Sequence, residues 1–347
     1  MKLKRSSQKL SEPMTRLILT TSDSGAGCLK QAGLADIVIP FGFRFVWGRL
    51  PSATEVASSL TRLLANDYPS RSSSLDEFGR EYQESHGKDL GLLELCQQCE
   101  AVELWIDPEP NAQLQLIQLL AHFRSDAKII SKLTLHQAKV LIGNQRPETS
   151  SDWRPSSIKV VNDHVDVGNM AWQAYRRPTP QDWFDLLGRD LSVLPQLRQA
   201  VLELLEELPM LGAGIGGTEM RMLELISAND AGPFDVVPGH RKPNKRRVFD
   251  YWEVGHLLDG LAHCPAPVVS GLDEGPFTEE MRRDRDRYER YRRSKLNLTE
   301  FGRAVLARSD DFSRRNPIRR WWGGTKLTNE CLWRWDPQNR ALIDPQA

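Results

Sequence analysis

The sequence runs Leu17-Ile-Leu-Thr-Thr-Ser-Asp23, then Ser24-Gly-Ala-Gly27, then Cys28-Leu-Lys-Gln-Ala-Gly33, and then Asp36-Ile-Val-Ile-Pro40. The first and last of these pieces are apolar and β-branched, which is typical of buried strands. The small residues between them predict a turn, followed by a short helix from Cys28. The expected order is therefore strand, turn, helix, strand.

The next hundred residues continue this alternation. Amphipathic helices are predicted at 56–64 and 75–82, a strand at Ala101–Ile106, a buried helix through 114–120 and a further strand at Ala127–Ile130. Strands that alternate with helices predict an α/β domain with a mostly parallel sheet and flanking helices. We expect this domain over residues 16–145, after a disordered basic tail at 1–15. Polar, proline-containing sequence near 144–155 predicts a linker over 146–170.

Residues 171–347 are predicted to form a mainly helical domain. Apolar residues recur every three or four positions over 194–208, and two more helices are expected after Thr218 and around Trp252. Two short strands, Pro267-Val-Val-Ser270 and Leu296-Asn-Leu298, flank an arginine-rich insertion and precede a helix at 299–306. This order is typical of a winged-helix module, so we expect a winged-helix-like module at this end.

The composition sets limits on the class of protein. With 347 residues, 40% hydrophobic and 27% charged, the chain is neither a wholly disordered protein nor a disulfide-dense peptide. No apolar run reaches the roughly 18 residues of a spanning helix, and no signal peptide is expected, so we predict no membrane partner. Five scattered cysteines fit a reducing compartment, and we expect a cytoplasmic location.

The end of the first predicted strand is the first candidate site. Asp23, Ser24 and Gly27 stand at the turn before the predicted helix. Free amides at a helix N-terminus can bind an anion, and small residues let a ligand approach the backbone, so we expect a small anionic ligand here. The alternative is that Asp23 or Ser24 only caps the helix.

The second candidate site is the end of the strand predicted at Ala101–Ile106. Asp107 and Glu109 follow it, and Gln113 opens the next helix. If this strand lies beside the first, Asp23, Asp107 and Glu109 meet at one edge of the sheet, where they could bind a hard cation or raise one another's pKa. The alternative is that these acidic residues only favour the helix dipole.

Two other motifs are interpreted as structural and not as functional sites. The sequence Gly212-Ala-Gly-Ile-Gly-Gly217 matches a dinucleotide fingerprint by letter, but it follows a predicted helix and is interpreted as a connector. Cys96 and Cys99 lie in an apolar stretch and are interpreted as structural. We predict no metal site, and the residues identify neither a cofactor nor a catalytic group.

Basic residues concentrate toward the C-terminus. Residues 231–347 carry 22 Lys and Arg against 17 Asp and Glu, while the whole chain has zero formal charge. This modest asymmetry permits a nucleic-acid partner without requiring one. Arg246, Arg247 and Arg320 are the candidate contacts, because arginines interleaved with aromatic residues suit phosphates and stacked bases. The alternative is that nearby acidic residues neutralise the basic segments through local ion pairs.

Several segments together resemble a bacterial family that has an N-terminal domain of unknown function 1835 and a less characterised C-terminal region. They are Thr21-Ser-Asp-Ser-Gly-Ala-Gly-Cys-Leu-Lys, Trp47-Gly-Arg-Leu-Pro, Leu104-Trp-Ile-Asp, Gln113-Leu-Gln-Leu, Glu206-Glu-Leu-Pro, Thr218-Glu-Met-Arg-Met-Leu, Leu298-Thr-Glu-Phe-Gly-Arg-Ala-Val-Leu, Arg320-Trp-Trp-Gly-Gly and Trp333-Arg-Trp-Asp. Phe43 and Ala112 stand where the family pattern implies acidic residues, whereas Asp107 and Glu109 keep the charge. If those carboxylates are catalytic in relatives, this chain binds without turnover or uses a different substrate.

Our leading hypothesis is an intracellular binding or regulatory protein. A small anionic ligand would bind at the strand ends, and the C-terminal module would meet a macromolecule, either nucleic acid or protein. The rival is a metal-assisted enzyme that acts on a nucleotide-like or phosphorylated substrate, with Asp107 or Glu109 as metal ligand or general base. A third possibility is a docking protein whose exposed Trp321 and Trp322 anchor an interface.

Overall fold

The computed structural model describes residues 16–52, 54–56, 58, 80, 82–87, 90–228, 231–237 and 247–346. The chain divides into two compact units. Of the described residues, the α/β unit contains those up to Phe43 together with Pro51–Pro108 and Ala112–Trp172. The C-terminal unit contains Arg44–Leu50, Glu109–Asn111 and the residues from Gln173 onward. The tail predicted at 1–15 lies outside the described residues.

A five-stranded sheet forms the centre of the α/β unit. Its strands are β1 (Arg16–Thr20), β2 (Ile37–Pro40), β3 (Ala101–Ile106), β4 (Leu133–Gln137) and β5 (Ser157–Lys159). The order is β2-β1-β3-β4-β5, with the first four strands parallel and β5 antiparallel to β4. Strands β1 to β3 are buried along nearly their whole length, as parallel strands covered on both faces must be. The predicted mixed α/β class with a mostly parallel sheet is confirmed.

Six helices whose bounds both lie among the described residues belong wholly or partly to this unit. They are α1 (Asp23–Gln31), α2 (Leu92–Gln98), α3 (Pro110–Phe123), α4 (Ala127–Ile130), α5 (Ser150–Trp153) and α6 (Asn162–Tyr175). The buried helix predicted through 114–120 is confirmed as part of α3, whose leucines there are at most 1% exposed. The helices predicted at 56–64 and 75–82 fall largely outside the described residues.

The strand predicted at Ala127–Ile130 is wrong, because these residues form the single turn of α4. Asp126 caps this turn by accepting a hydrogen bond from the Ile129 amide at 3.0 Å, which fixes the helical start that the short apolar run alone does not reveal. The strand of this region is β4, six residues further on, where Leu133, Leu135 and His136 are all buried.

The predicted linker over 146–170 contains regular structure. It holds α5, β5 and most of α6. Trp153 packs against the apolar cluster that includes Trp105, and its indole N–H donates to the Arg146 carbonyl at 2.8 Å. β5 is an edge strand with two of its three residues exposed, which explains a polar composition in a segment that is not an unstructured connector.

The C-terminal unit is rich in helices. They are α7 (Gln181–Asp185), α8 (Leu197–Leu205), α9 (Gly217–Ala228), α10 (Tyr251–Ala262), α11 (Glu279–Arg283), α12 (Arg285–Arg293) and α13 (Glu300–Leu306). The glycine-containing segment at 212–217 joins α8 to α9, which confirms its interpretation as a connector. None of the described helices is both long and apolar enough to cross a membrane.

The described part of this unit also contains three antiparallel pairs of short strands. They are β6 (Val269–Ser270) with β7 (Asn297–Leu298), β8 (Arg319–Trp322) with β9 (Thr325–Thr328), and β10 (Arg334–Asp336) with β11 (Ala341–Ile343). The predicted strands near Ser270 and Leu298 therefore pair with each other. The arginine-rich insertion between them is helical and forms α11 and α12.

Candidate functional site

The carboxyl ends of β1, β3 and β4 form one edge of the sheet, which we call the carboxyl edge. β1 and β3 are adjacent and parallel, with Thr20 opposite Trp105. From β1 the chain turns to β2 on one side of the sheet, whereas β3 and β4 lie on the other side. Open α/β sheets bind ligands at such a switch point, where consecutive connections diverge. The residues that follow β1 and β3 are therefore the first to consider.

Asp107, directly after β3, is buried at the carboxyl edge with 2% of its surface exposed. Its Oδ2 accepts hydrogen bonds from Thr21 Oγ1 at 3.1 Å and Ser22 Oγ at 3.3 Å, and its Oδ1 accepts from the Ile142 amide at 2.8 Å. Burial raises the pKa of Asp107 above its ordinary value, although these three hydrogen bonds act in the opposite direction. The carboxyl group thus joins the ends of β1 and β3 to the loop after β4.

Helix α1 begins earlier than the sequence suggested. Ser22 is its N-cap and accepts from the Gly25 amide at 3.1 Å, so Asp23 and Ser24 lie in the first turn and Gly27 lies inside the helix. The prediction of a separate turn before a helix at Cys28 is therefore wrong. Because the Ser22 hydroxyl caps the helix, the small residues that follow it are already helical. Asp23 and Ser24 are exposed.

Gln113 is fully buried beside Asp107. Its side-chain nitrogen donates to the Asp107 carbonyl at 2.9 Å, and its side-chain oxygen accepts from Gln137 at 3.3 Å. Gln137 ends β4, so this pair of amides extends the polar cluster across the edge. Asp107 and Gln113, two of the residues predicted at the strand ends, are thus in contact, whereas Gln137 was missed because β4 was placed too early.

Two buried oxygen atoms at this edge have no hydrogen-bond partner within the part of the chain that the structure describes. They are Thr20 Oγ1 and Gln137 Oε1. Thr20 is 1% exposed, and its hydroxyl lies beside the first turn of α1, 3.3 Å from where a Cβ on Gly25 would stand. An unpaired buried polar atom costs free energy, so such atoms point to a missing partner.

A short turn after β4, Ile142–Asn144, packs against the start of α1. The fit is close, since a Cβ on Gly143 would lie 2.3 Å from Ser24 Oγ and 3.0 Å from the Ser24 carbonyl carbon. Only glycine fits at this position without a shift of the turn. The Ile142 amide that bonds Asp107 belongs to the same turn, so this turn and the carboxyl group hold each other in place.

Glu109 is grouped with the C-terminal unit. Its carboxylate lies 3.8 Å from the Arg247 guanidinium, and its side chain is 30% exposed. Within the described ranges, no group of three or more His, Cys, Asp or Glu side chains is arranged to hold a metal ion.

A second polar cluster of the α/β unit surrounds Glu103, which is 6% exposed in β3. Its carboxylate accepts from the Trp105 indole N–H at 2.8 Å and lies 3.4 Å from His136 Nε2. Burial by itself raises the pKa of Glu103, but hydrogen bonds from His136 and Trp105 outweigh burial and hold it below its ordinary value. His136 also stacks on Trp105 with ring centroids 4.4 Å apart. These contacts fix β3 against β4 and point to a structural role.

The cysteines interpreted as structural are buried. Burial raises the pKa of the Cys96 thiol, and it raises that of Cys99 to about 11, so neither is a ready nucleophile at neutral pH. Lys132 Nζ donates to the carbonyls of Gln97 and Cys99 at the end of α2, which satisfies carbonyls that the helix leaves unpaired.

The arginines proposed for nucleic-acid contact have internal partners where they are described. Arg320 donates to Glu219 at 2.7 Å, and Arg247 lies near Glu109, while Arg246 lies outside the described residues. Along α12, two arginines pair with Glu274 and two with Glu289. The alternative of local ion pairs therefore describes much of this basic segment.

The prediction that both Trp321 and Trp322 are exposed is wrong for Trp322. That residue is 6% exposed, and its indole N–H donates to the Leu204 carbonyl at 2.7 Å. The sequence could not show this contact, because Leu204 lies in α8, more than a hundred residues earlier. Trp321 is half-buried.

Comparison with known proteins does not assign the chain to a family. No family model matches the chain, and a search of curated proteins finds no match. The resemblance noted from the sequence therefore stays a prediction.

Proposed function

We propose that this chain is a binding or regulatory protein that holds a small ligand at the carboxyl edge of its α/β unit. One observation carries the proposal. The carboxyl edge contains two buried oxygen atoms, Thr20 Oγ1 at the end of β1 and Gln137 Oε1 at the end of β4, that have no partner among the described residues. A ligand that hydrogen-bonds either oxygen atom would remove the cost of its burial.

The charge of Asp107 bears on the kind of ligand. An anionic group near the first turn of α1 would be favoured by the helix dipole and disfavoured by an ionised Asp107. Because the pKa of Asp107 is raised, protonation removes this repulsion more readily than at an ordinary aspartate. We therefore expect the affinity for a small anionic ligand to rise as the pH falls.

Binding is favoured over catalysis by the state of Asp107. Its carboxyl group already accepts three hydrogen bonds from the protein, so it has little capacity left to act as a metal ligand or general base. A metal-assisted enzyme that acts on a nucleotide-like or phosphorylated substrate is therefore our second candidate function. Turnover of phosphate esters in the presence of Mg²⁺ or Mn²⁺ would reverse this order.

For the C-terminal unit we propose a macromolecular partner. The support is that three helices, α8, α9 and α10, precede the paired strands β6 and β7, as expected for a winged-helix-like module, with α11 and α12 inserted between the two strands. Pairing of the α12 arginines with Glu274 and Glu289 reduces the free positive charge and favours a protein partner over nucleic acid. Duplex DNA binding that weakens steeply with salt would contradict this preference.

Buried free thiols at Cys28, Cys96 and Cys99 support the proposed cytoplasmic location.

The ligand proposal is tested by a thermal-shift screen of the purified protein against nucleotides, phosphorylated metabolites and neutral sugars at pH 6 and pH 8. A ligand that binds only the folded state raises the melting temperature. Thr20→Val removes the unpartnered hydroxyl and keeps the shape of the side chain. Thr134→Val makes the same change in β4, away from the carboxyl edge, and serves as the control.

The proposal expects at least one ligand whose shift is reduced by Thr20→Val and kept by Thr134→Val. If no compound shifts the melting temperature, or if both variants keep the full shift, the carboxyl edge is not the binding site.

A further inference from the structure

We infer that the C-terminal unit carries a second site, independent of the carboxyl edge, that binds the planar ring of a nucleobase between aromatic side chains. The site is a cavity of about 290 Å³. Among its lining residues are Trp47, Tyr175, Phe249, Trp321 and Trp322. Five aromatic side chains around one cavity offer ring faces and edges, which are the surfaces that bind a flat π-system irrespective of its hydrogen-bonding pattern.

Trp47 is the most exposed of these five aromatic side chains. Its exposed fraction is 38%, whereas most large apolar residues of the described chain are buried. Phe249 contacts the indole edge to face with centroids 5.8 Å apart, and His256 stacks at 6.1 Å. The ring is thus held by neighbours while part of its surface meets solvent, and covering that surface with a ligand ring would be favourable.

The segment that carries Trp47 is fixed before any ligand arrives. Arg44 donates to Glu253 at 2.9 Å, the Phe45 amide donates to Asn111 at 2.8 Å, and the Phe45 carbonyl accepts from the Tyr175 hydroxyl at 3.3 Å. Gly48 then turns the chain with a φ of +70°, a conformation that other residues rarely adopt. A preorganised wall loses little entropy on binding.

The wall of the cavity formed by Trp322 and Tyr175 is also held in place by contacts within the protein. The Trp322 indole is tied to Leu204 by its hydrogen bond and meets Tyr175 edge to face at 5.3 Å. The turn after β8 packs tightly on the same tyrosine, because a Cβ on Gly323 would lie 2.5 Å from the Tyr175 carbonyl oxygen. The cavity therefore has rigid aromatic walls on several elements of one unit.

The charged residues of the cavity bear on the group attached to the ring. The Glu207 carboxylate accepts from the Thr218 amide and hydroxyl, and Arg320 donates to Glu219, so both have protein partners. Arg319 is exposed at the same cavity and suits a phosphate attached to the ring. A volume near the lower end of ligand pockets, roughly 300 to 1,000 Å³, admits one ring system and excludes a dinucleotide.

The test is isothermal titration calorimetry with adenosine, guanosine, cytidine and uridine, their 5′-monophosphates, and a short single-stranded DNA. Trp47→Ala removes the accessible ring, and Leu211→Ala removes a similarly exposed apolar side chain of the same unit outside the cavity lining. Arg319→Met removes the exposed charge. Far-ultraviolet circular dichroism checks that each variant is folded.

We expect saturable binding that Trp47→Ala weakens by roughly 5- to 150-fold, the range for loss of one base-stacking contact, and that Leu211→Ala leaves within about twofold. Monophosphates should bind more tightly than nucleosides, and Arg319→Met should remove that difference. Binding of the free compounds identifies a small-molecule ligand, and binding of the DNA alone identifies an unpaired base in a strand. The inference is overturned if no probe binds, or if Trp47→Ala and Leu211→Ala bind every probe equally.

Discussion

Replacement of Asp107 by alanine is the most informative perturbation of the carboxyl edge. It removes the acceptor of three hydrogen bonds, from Thr21, Ser22 and the Ile142 amide. The hydroxyl groups can turn toward other partners, but the buried Ile142 amide cannot. An unpaired buried donor costs about 1–3 kcal/mol, and each of the two hydroxyl bonds, which other partners can replace in part, adds about 0.5 kcal/mol, so we expect a loss of about 2–4 kcal/mol in the free energy of unfolding of the α/β unit.

Asp107→Asn separates the hydrogen bonds from the charge. The asparagine oxygen can still accept from the Ile142 amide, and its amide nitrogen can donate to the hydroxyl oxygens of Thr21 and Ser22. The raised pKa of Asp107 means that the ionised form is disfavoured by folding, so removal of the charge offsets part of any loss. We expect Asp107→Asn to cost less than about 1 kcal/mol at pH 7.

The assay is urea unfolding of the three proteins, combined with hydrogen exchange of the Ile142 amide. Exchange at this amide should be faster in Asp107→Ala by roughly 30- to 800-fold, which corresponds to the expected 2–4 kcal/mol, and nearly unchanged in Asp107→Asn. Equal losses in both variants would show that the charge, and not the set of hydrogen bonds, is what Asp107 contributes. Unchanged exchange in Asp107→Ala would refute the proposed hydrogen bond to Ile142.

Three further predictions test the surrounding structure. Thr20→Val should raise the stability of the ligand-free protein by about 1 kcal/mol in urea unfolding, because it removes a buried hydroxyl without a described partner, and any loss would place a partner there. Gly143→Ala should cost about 1–3 kcal/mol, since its Cβ would collide with Ser24, and a neutral result would mean that the turn shifts freely. Glu103→Gln should lower stability by about 1–3 kcal/mol at pH 7, because it removes the charge that strengthens the contacts of this carboxylate with His136 and Trp105. The pKa of Glu103 is lowered by folding, so its contribution is present above the unfolded value of about 4.3 and is lost as the pH falls through the folded value. The difference between parent and variant in urea midpoint should therefore shrink below about pH 4, and a constant difference would contradict this assignment.

Much of the α/β unit could be predicted from local patterns. The apolar runs of β1, β2 and β3 and the leucines of α3 are buried elements whose type depends on their own residues. Asp107 and Gln113 could be selected because they follow a buried strand, and parallel neighbours share an edge. Ser22 could also be selected from the sequence as the N-cap of α1, because serine is one of the residues that favour this position.

Other features depend on partners far away in the sequence. Thr21 and Ser22 bond Asp107 across more than eighty residues, and Arg320 reaches Glu219 across 101. No local pattern shows such pairs. The misplacement of β4 has a different cause, because a short apolar run fits a helical turn as well as a strand and the Asp126 cap decides between them. Once β4 was misplaced, Gln137 could not be assigned to the carboxyl edge.

The central claim is that a ligand binds at the carboxyl edge, and hydrogen exchange with a ligand from the thermal-shift screen tests it most directly. Peptides that cover 20–25, 107–113 and 137–143 should exchange more slowly with saturating ligand, and Thr20→Val should reduce this protection at the same ligand concentration. Protection found only in the C-terminal unit, or none in these three segments, would contradict the account.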